Sequence, residues 1–333
     1  MNRGTFFCID GHTCGNPVRL VTSGHPALRG ATMADKRQHF LAEFDWIRKA
    51  LMFEPRGHDM MSGAFLYPPC SEDGDISILF IETSGCLPMC GHGTIGAITF
   101  ALELGLIHPQ ETGLVKIDTP AGRVDAQYKM RQGKVEWVRL VNVPAFLAHT
   151  NESIHIDTLG ELTIDIAYGG NFYIIVEPQG DFKGIESTDV DTLIKMSREV
   201  RDAVNATIEC IHPESADVRG ATHVLWTGKP QNLDSTAANA VFYGDKAIDR
   251  SPCGTGTSAR MAQLFTKGHL NQQQDFVHES YIGSQFIGRV EEVLEISGKL
   301  AIRPSIQGWA VRTGKNCITV DDDDPYAFGF QVI

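Results

Sequence analysis

The pattern Cys-Gly-x-Gly-Thr occurs twice in this chain, as Cys90-Gly91-His92-Gly93-Thr94 and as Cys253-Gly254-Thr255-Gly256-Thr257. Each copy follows a proline-containing loop (Pro88-Met89 and Ser251-Pro252) and precedes a stretch that reads as helix. A free thiol has a pKa near ~8.5, and a helix N-terminus draws it down to about 3.5–7.5. At that value it is a competent base at neutral pH. Two such thiols, one in each half of the chain, suit the inversion of a carbon centre. One group removes a proton from one face, and the other returns a proton to the opposite face.

Other chemistries compete for these residues. Gly91-His92-Gly93-Thr94-Ile95-Gly96 also satisfies the dinucleotide pattern Gly-x-Gly-x-x-Gly, and Gly254 to Ala259 satisfies its alanine variant. That reading needs a strand running straight into the first glycine. Here a loop containing Pro88 intervenes in the first copy, and the polar stretch Gly244 to Arg250 precedes the second. The glycines instead let backbone N–H groups at a helix start approach an anion closely. Cys90 and His92 lie two apart without a Cys-x-x-Cys partner, which argues against a structural zinc site. A thiol protease needs one nucleophile and a His base, with no second Cys. A non-catalytic protein that captures a carboxylate on two helix ends needs no thiols, because Ser or Thr caps serve as well.

Three further residues have two readings each. Asp249, four residues before Cys253, is either a turn-forming residue or a carboxylate that holds a substrate ammonium. His92 is either a hydrogen-bonded loop histidine or part of the site. His223, in Ala221 to Trp226, is either a satisfied sheet histidine or a pocket residue.

The elements that must position these groups follow from periodicity. Phe6 to Asp10 and Pro17 to Val21 read as short strands. Thr32-Met33-Ala34-Asp35 predicts a capping box with Asp in place of the usual Glu. Phe40, Leu41, Phe44, Ile47 and Leu51 then extend one amphipathic helix over about 33–52. Strands are expected at Ile76 to Glu82, Val115 to Thr119, Val135 to Val143, Phe172 to Glu177 and Thr222 to Thr227. Helices are expected at Gly91 to Leu104, at Gly254 to Lys267, and around Leu193, Met196, Val200 and Val204. From about 275 to 320 the chain alternates and turns like antiparallel sheet. The fold class is α+β in two lobes, divided near 125–135, each with one Cys-led helix.

Composition sets the outer limits. A chain of 333 residues with 42% hydrophobic and 21% charged residues is a globular protein long enough for two domains. A net charge of −12 argues against a nucleic-acid surface. No apolar window approaches about 18 residues, so no membrane span is expected. Eight scattered cysteines point to a reducing cytoplasm rather than a disulfide scaffold.

These motifs together resemble the proline racemase family, over nearly the whole chain. The signatures are Met89 to Thr94 and Asp249-Arg250-Ser251-Pro252-Cys253-Gly254-Thr255-Gly256-Thr257, with Ile9 to Pro17 similar to the family's opening. The resemblance implies a fold like that of diaminopimelate epimerase: two pseudo-symmetric lobes, each a mostly antiparallel sheet around a central helix, with the active site in the cleft between them. It puts the first lobe at 1–130, completed by about 315–333 with a closing strand at Ala327 to Val332, and the second lobe at 131–314. It makes Cys90 and Cys253 catalytic. It makes Gly91, His92, His223, Asp249, Gly254 and Thr255 substrate-binding, and it calls for no cofactor and no metal. The implied reaction is epimerisation at Cα of trans-4-hydroxy-L-proline to the cis-4-hydroxy-D isomer, with proline racemisation as the alternative. Cys253 argues against the branch that dehydrates 3-hydroxyproline, which has Thr there. His92 and Ile95 depart from the pattern of diaminopimelate epimerase itself. The expected partner is a small-molecule substrate, hydroxyproline or proline, with neither nucleic acid nor membrane; a homodimer is left open.

Overall fold

A computed structural model describes residues 2–332. They are mostly sheet, with five α-helices: α1 (Met33–Glu43), α2 (Asp45–Met52), α3 (Gly91–Glu103), α4 (Val190–Thr207) and α5 (Gly254–Thr266). The chain divides into two compact units, one of residues 1–140 with 308–333 and the other of residues 141–307. None of the described helices is long and apolar enough to cross a membrane.

The first unit is built on the strand Asn2–Thr13, which pairs antiparallel with Asn16–Ser23 on one side and Ala310–Asp321 on the other. Cys14 and Gly15 make the tight turn between the first two strands at φ 47 and 96. From Asn16–Ser23 the order continues through Ser62–Tyr67 (parallel), Ile76–Glu82 (antiparallel), Leu114–Thr119 (parallel) and Gly122–Arg131 (antiparallel). Each parallel step needs a crossover, and α1 with α2 fill the first while α3 fills the second. Helix α3 is buried from Gly91 to Ala101 and packs on Asn2–Thr13, Asn16–Ser23, Ser62–Tyr67 and Ala310–Asp321. Gly11 allows this approach: a Cβ there would lie 2.4 Å from both the Phe100 ring and the Val311 carbonyl.

Two expectations are corrected in this unit. The single helix over 33–52 is two helices, broken at Phe44 with φ −128 and ψ 5. The capping box does form: the Thr32 hydroxyl accepts from Asp35 N at 3.1 Å, and the Asp35 carboxylate accepts from Thr32 N at 3.0 Å. The break lets Arg48 on α2 turn inward, where it donates to Asp45 and to the Glu82 carbonyl. The expected strand at Ala327 to Val332 is absent. That segment turns at Gly329 (φ 73), where a Cβ would meet the Lys49 carbonyl at 2.6 Å, and makes one bridge, Glu54 to Phe330. The strand that returns to Asn2–Thr13 is instead Ala310–Asp321.

The second unit is a closed ring of eight strands. In order they are Ala145–Ile156, Gly160–Tyr168, Phe172–Val176, Ala221–Gly228, Ala237–Tyr243, Asp275–Ser280, Gln285–Ile296 and Lys299–Gly308, and the last pairs back to the first. Two of the eight steps are parallel, and α4 and α5 lie in those crossovers. Helix α5 is buried from Gly254 to Gln263. It packs on Ala145–Ile156, Gly160–Tyr168, Phe172–Val176 and Gln285–Ile296. Its Thr257 hydroxyl lies 2.8 Å from Nδ1 of His278, whose imidazole burial pushes down to about 3.

Candidate functional site

Both cysteines of the repeated pattern are the N-cap residues of buried helices, Cys90 of α3 and Cys253 of α5. The first lies at the end of the loop that leaves the fully buried strand Ile76–Glu82. Cys90 is extended (φ −142, ψ 109), and its sulfur accepts from Gly93 N at 3.4 Å. This is the contact by which a helix N-terminus favours a thiolate. The Thr94 hydroxyl donates to the Cys90 carbonyl at 2.8 Å and closes the first turn.

Sequence reasoning did not anticipate Glu82. Its Oε1 lies 3.1 Å from Cys90 Sγ, and its two oxygens also accept from Ser62 and Ser84 at 3.1 and 2.9 Å. His92 brings Nδ1 to 3.6 Å from the same sulfur, while Asn16 holds its Nε2 at 3.1 Å. Burial holds this imidazole below its ordinary pKa, with Glu82 opposing. The Thr13 hydroxyl donates to the His92 carbonyl at 2.8 Å, tying the first turn of α3 to the Asn2–Thr13 strand. The one sequence signal for Glu82 was a carboxylate ending a strand that is apolar from Ile78 to Ile81, an arrangement that needs partners once buried.

The second thiol has different surroundings. Cys253 sits at φ 63 and ψ 109, and its side chain does not make the capping hydrogen bond to the first turn that Cys90 makes. A non-glycine residue held there costs on the order of 1–3 kcal/mol, and such strain gathers at functional sites. The Tyr173 hydroxyl lies 3.3 Å from Cys253 Sγ and 2.5 Å from Thr255 Oγ1. Tyr173 also went unforeseen; it comes from the strand Phe172–Val176 and presents the only kind of polar atom a buried tyrosine has. His223, buried on Ala221–Gly228, rests its ring 4.8 Å from the Tyr173 ring and places Nδ1 2.8 Å from the Thr222 hydroxyl.

Asp249 is fully enclosed, and the stretch Gly244 to Arg250 is a tight return rather than an open polar loop. Ala247–Ile248 pair with Phe242 and Tyr243, and Asp249 N donates to the Val241 carbonyl. The Asp249 carboxylate accepts from the Ser251 amide and hydroxyl, both at 2.8 Å. Burial pushes it up to about 7, against the pull of Ser251 and Cys253. The structure thus gathers Cys90, Gly91 and His92 in the first unit, and His223, Asp249, Cys253, Gly254 and Thr255 in the second. A cavity of about 440 Å³ elsewhere in the first unit, lined by Phe7, Leu104, Leu106 and Cys317 among others, contains none of them.

The family model described as proline racemase matches residues 8–331. The chain belongs to the proline racemase family. It is 61% identical over 333 residues to a 4-hydroxyproline 2-epimerase of Shewanella loihica, covering 100% of both chains. It is 59% identical, over the same span, to a 4-hydroxyproline 2-epimerase of Ancylobacter novellus. Among solved structures it resembles a hydroxyproline epimerase from Agrobacterium vitis with bound trans-4-hydroxy-L-proline. That match has a TM-score of 0.92 at 29% identity, covering 98% of this chain and 95% of that one. The family expected from the two signatures is therefore the family found.

Proposed function

We propose that this chain is a cofactor-independent amino-acid epimerase that inverts Cα of trans-4-hydroxy-L-proline to give cis-4-hydroxy-D-proline. The observation that carries the reading is full-length identity of 59–61% to proteins named for that activity. Two buried helix-capping thiols are the chemistry such a reaction asks for. We also infer that the two units repeat one plan. In each, a helical crossover joins two parallel strands, an antiparallel strand follows, and a Cys-capped helix then leads to another parallel pair.

The difficulty in this reaction is the weak acidity of a Cα–H beside a carboxylate. In our reading the amides of Gly91, His92, Gly254 and Thr255 hold that carboxylate and stabilise the charge that grows on it as the proton leaves. One such fixed donor is worth about 2.7–4 kcal/mol, and a partly buried helix end up to ~2 kcal/mol. Several together supply on the order of 10 kcal/mol, although such terms do not add strictly. One cysteine starts as thiolate and takes the proton, and the other starts as thiol and delivers one to the opposite face. The two sulfurs exchange protonation states with each turnover, so they titrate as a pair. Asp249 meets the ring ammonium beside Cys253, and His223 faces the ring.

Incubation in deuterated water with trans-4-hydroxy-L-proline tests this. The cis-4-hydroxy-D product should carry deuterium at Cα from its first appearance, while optical rotation relaxes to a plateau. Binding without exchange at Cα would reduce the chain to an amino-acid receptor.

A further inference from the structure

Glu82, Cys90 and His92 bring a carboxylate oxygen, a sulfur and an imidazole nitrogen within 4.8 Å of one another, all of them buried. The sulfur lies 3.1 Å from Glu82 Oε1 and 3.6 Å from His92 Nδ1. Tetrahedral zinc binds these donors at about 2.0–2.3 Å, which sets its ligand atoms roughly 3.3–3.7 Å apart. The two distances from the sulfur fall within a few tenths of an ångström of that spacing, and the remaining distance, from the Glu82 carboxylate to the His92 ring nitrogen, is within 4.8 Å. We propose that it is a binding site for one soft divalent cation, zinc above all, and that the cation inhibits the protein by capturing the Cys90 sulfur.

Charge and support both favour the assignment. A divalent ion held by one thiolate, one carboxylate and one neutral imidazole leaves the buried site with no net charge, as burial requires. Ligands of a zinc site are themselves oriented by outer hydrogen bonds. Ser62 and Ser84 hold the Glu82 carboxylate, and Asn16 holds the far nitrogen of His92. Asn16 Nδ2 lies 3.1 Å from Nε2; metal binding requires this amide to turn so that its oxygen accepts from Nε2–H, which leaves the Nδ1 lone pair on the sulfur side. Binding replaces the S–H proton, which passes to solvent; nothing is oxidised. The Cys-x-His spacing alone lacked a third ligand, and Glu82 supplies one from the preceding strand. Inhibition rests on the two-thiol reading of the reaction, whereas metal binding does not, so the test reads binding directly.

Chelator-washed, reduced protein is titrated with Cd²⁺ and followed by the ultraviolet thiolate-to-cadmium band and by calorimetry. We expect one equivalent per chain, with the band lost in Cys90→Ser. Affinity should fall by more than about 100-fold in Glu82→Gln and His92→Asn, beyond what loss of an outer partner costs. A band that survives in Cys90→Ser, or affinity unchanged in both other variants, overturns the site. If Glu82→Gln does not fold, the wild type decides. Zn²⁺ without substrate must protect the Cys90 peptide from iodoacetamide, and EDTA must restore labelling; undiminished labelling of Cys90 overturns the proposal equally.

Discussion

Cys90 and Cys253 match in type and in place, yet their neighbours differ. Cys90 takes a helix amide and faces Glu82, whereas Cys253 is held at positive φ and faces Tyr173. Each face of Cα needs its own acid/base group, so neither thiol covers for the other. Cys90→Ala and Cys253→Ala should each lower turnover by about 10²–10⁴-fold, with far-ultraviolet circular dichroism unchanged. Either variant retaining more than about a tenth of wild-type polarimetric rate contradicts the two-base scheme. Asp249 offers a second test at this scale. Its carboxyl is raised from an ordinary 3.8 to about 7 by burial. Below the ordinary value the folded and unfolded chains both carry the proton. As pH rises toward 7 the unfolded chain releases it while the folded one keeps it, so stability is lost across that window. The loss is on the order of a few kcal/mol. Urea midpoints from pH 4.5 to 7.5 should therefore decline more steeply for wild type than for Asp249→Asn. Parallel curves for the two proteins would mean that the carboxyl is not held neutral.

The two Cys-led helices were legible in the sequence because their chemistry is local. A proline loop, a thiol, alternating glycines and an apolar run follow one another along a dozen residues, and α3 and α5 begin where that pattern says. Their partners were not legible. Tyr173 stands 80 positions before Cys253, and the parallel pairing of Phe172–Val176 with Ala221–Gly228 sets where it lies. The break at Phe44 was hidden because the apolar spacing runs straight through it, and Ala327 to Val332 alternates like a strand although Gly329 turns it. A glycine shows how closely α5 is fitted. A Cβ on Gly169 would lie 2.2 Å from the Thr255 carbonyl and 2.5 Å from Ala259 N, both backbone atoms of the helix that carries Cys253. Neither can rotate away. Gly169→Ala should cost about 1–3 kcal/mol in urea unfolding, and it should reduce kcat more than it raises KM, because the first turn of α5 must shift. An unaltered midpoint with unaltered kcat would show that the helix has slack.

At the scale of the whole molecule, the same fold and the same pair of thiols would serve for any proline, so what the chain prefers depends on the polar groups around them. In the second unit Tyr173 and Thr255 lie beside the Cys253 sulfur, Asp249 is bonded to Ser251 in the loop before it, and His223 packs on the Tyr173 ring; all four are buried. In the proposed pose the substrate ring lies against these groups, and plain proline, with one ammonium and a hydrocarbon ring, lacks the hydroxyl that would bond one of them. A site built to bond a hydroxyl discriminates strongly against the analogue that lacks it, because an unmatched buried polar group costs about 1–3 kcal/mol. Trans-4-hydroxy-L-proline should therefore be converted with a kcat/KM at least about tenfold above that for L-proline, the factor that 1.4 kcal/mol represents. The difference should lie partly in kcat, since part of the hydroxyl's binding energy goes to orienting Cα between base and acid. Parallel polarimetric assays on the two substrates measure it. Equal or better efficiency on L-proline would assign the chain to proline racemisation. It would leave the two-thiol chemistry standing and place the buried polar groups of the second unit in the service of the ammonium alone.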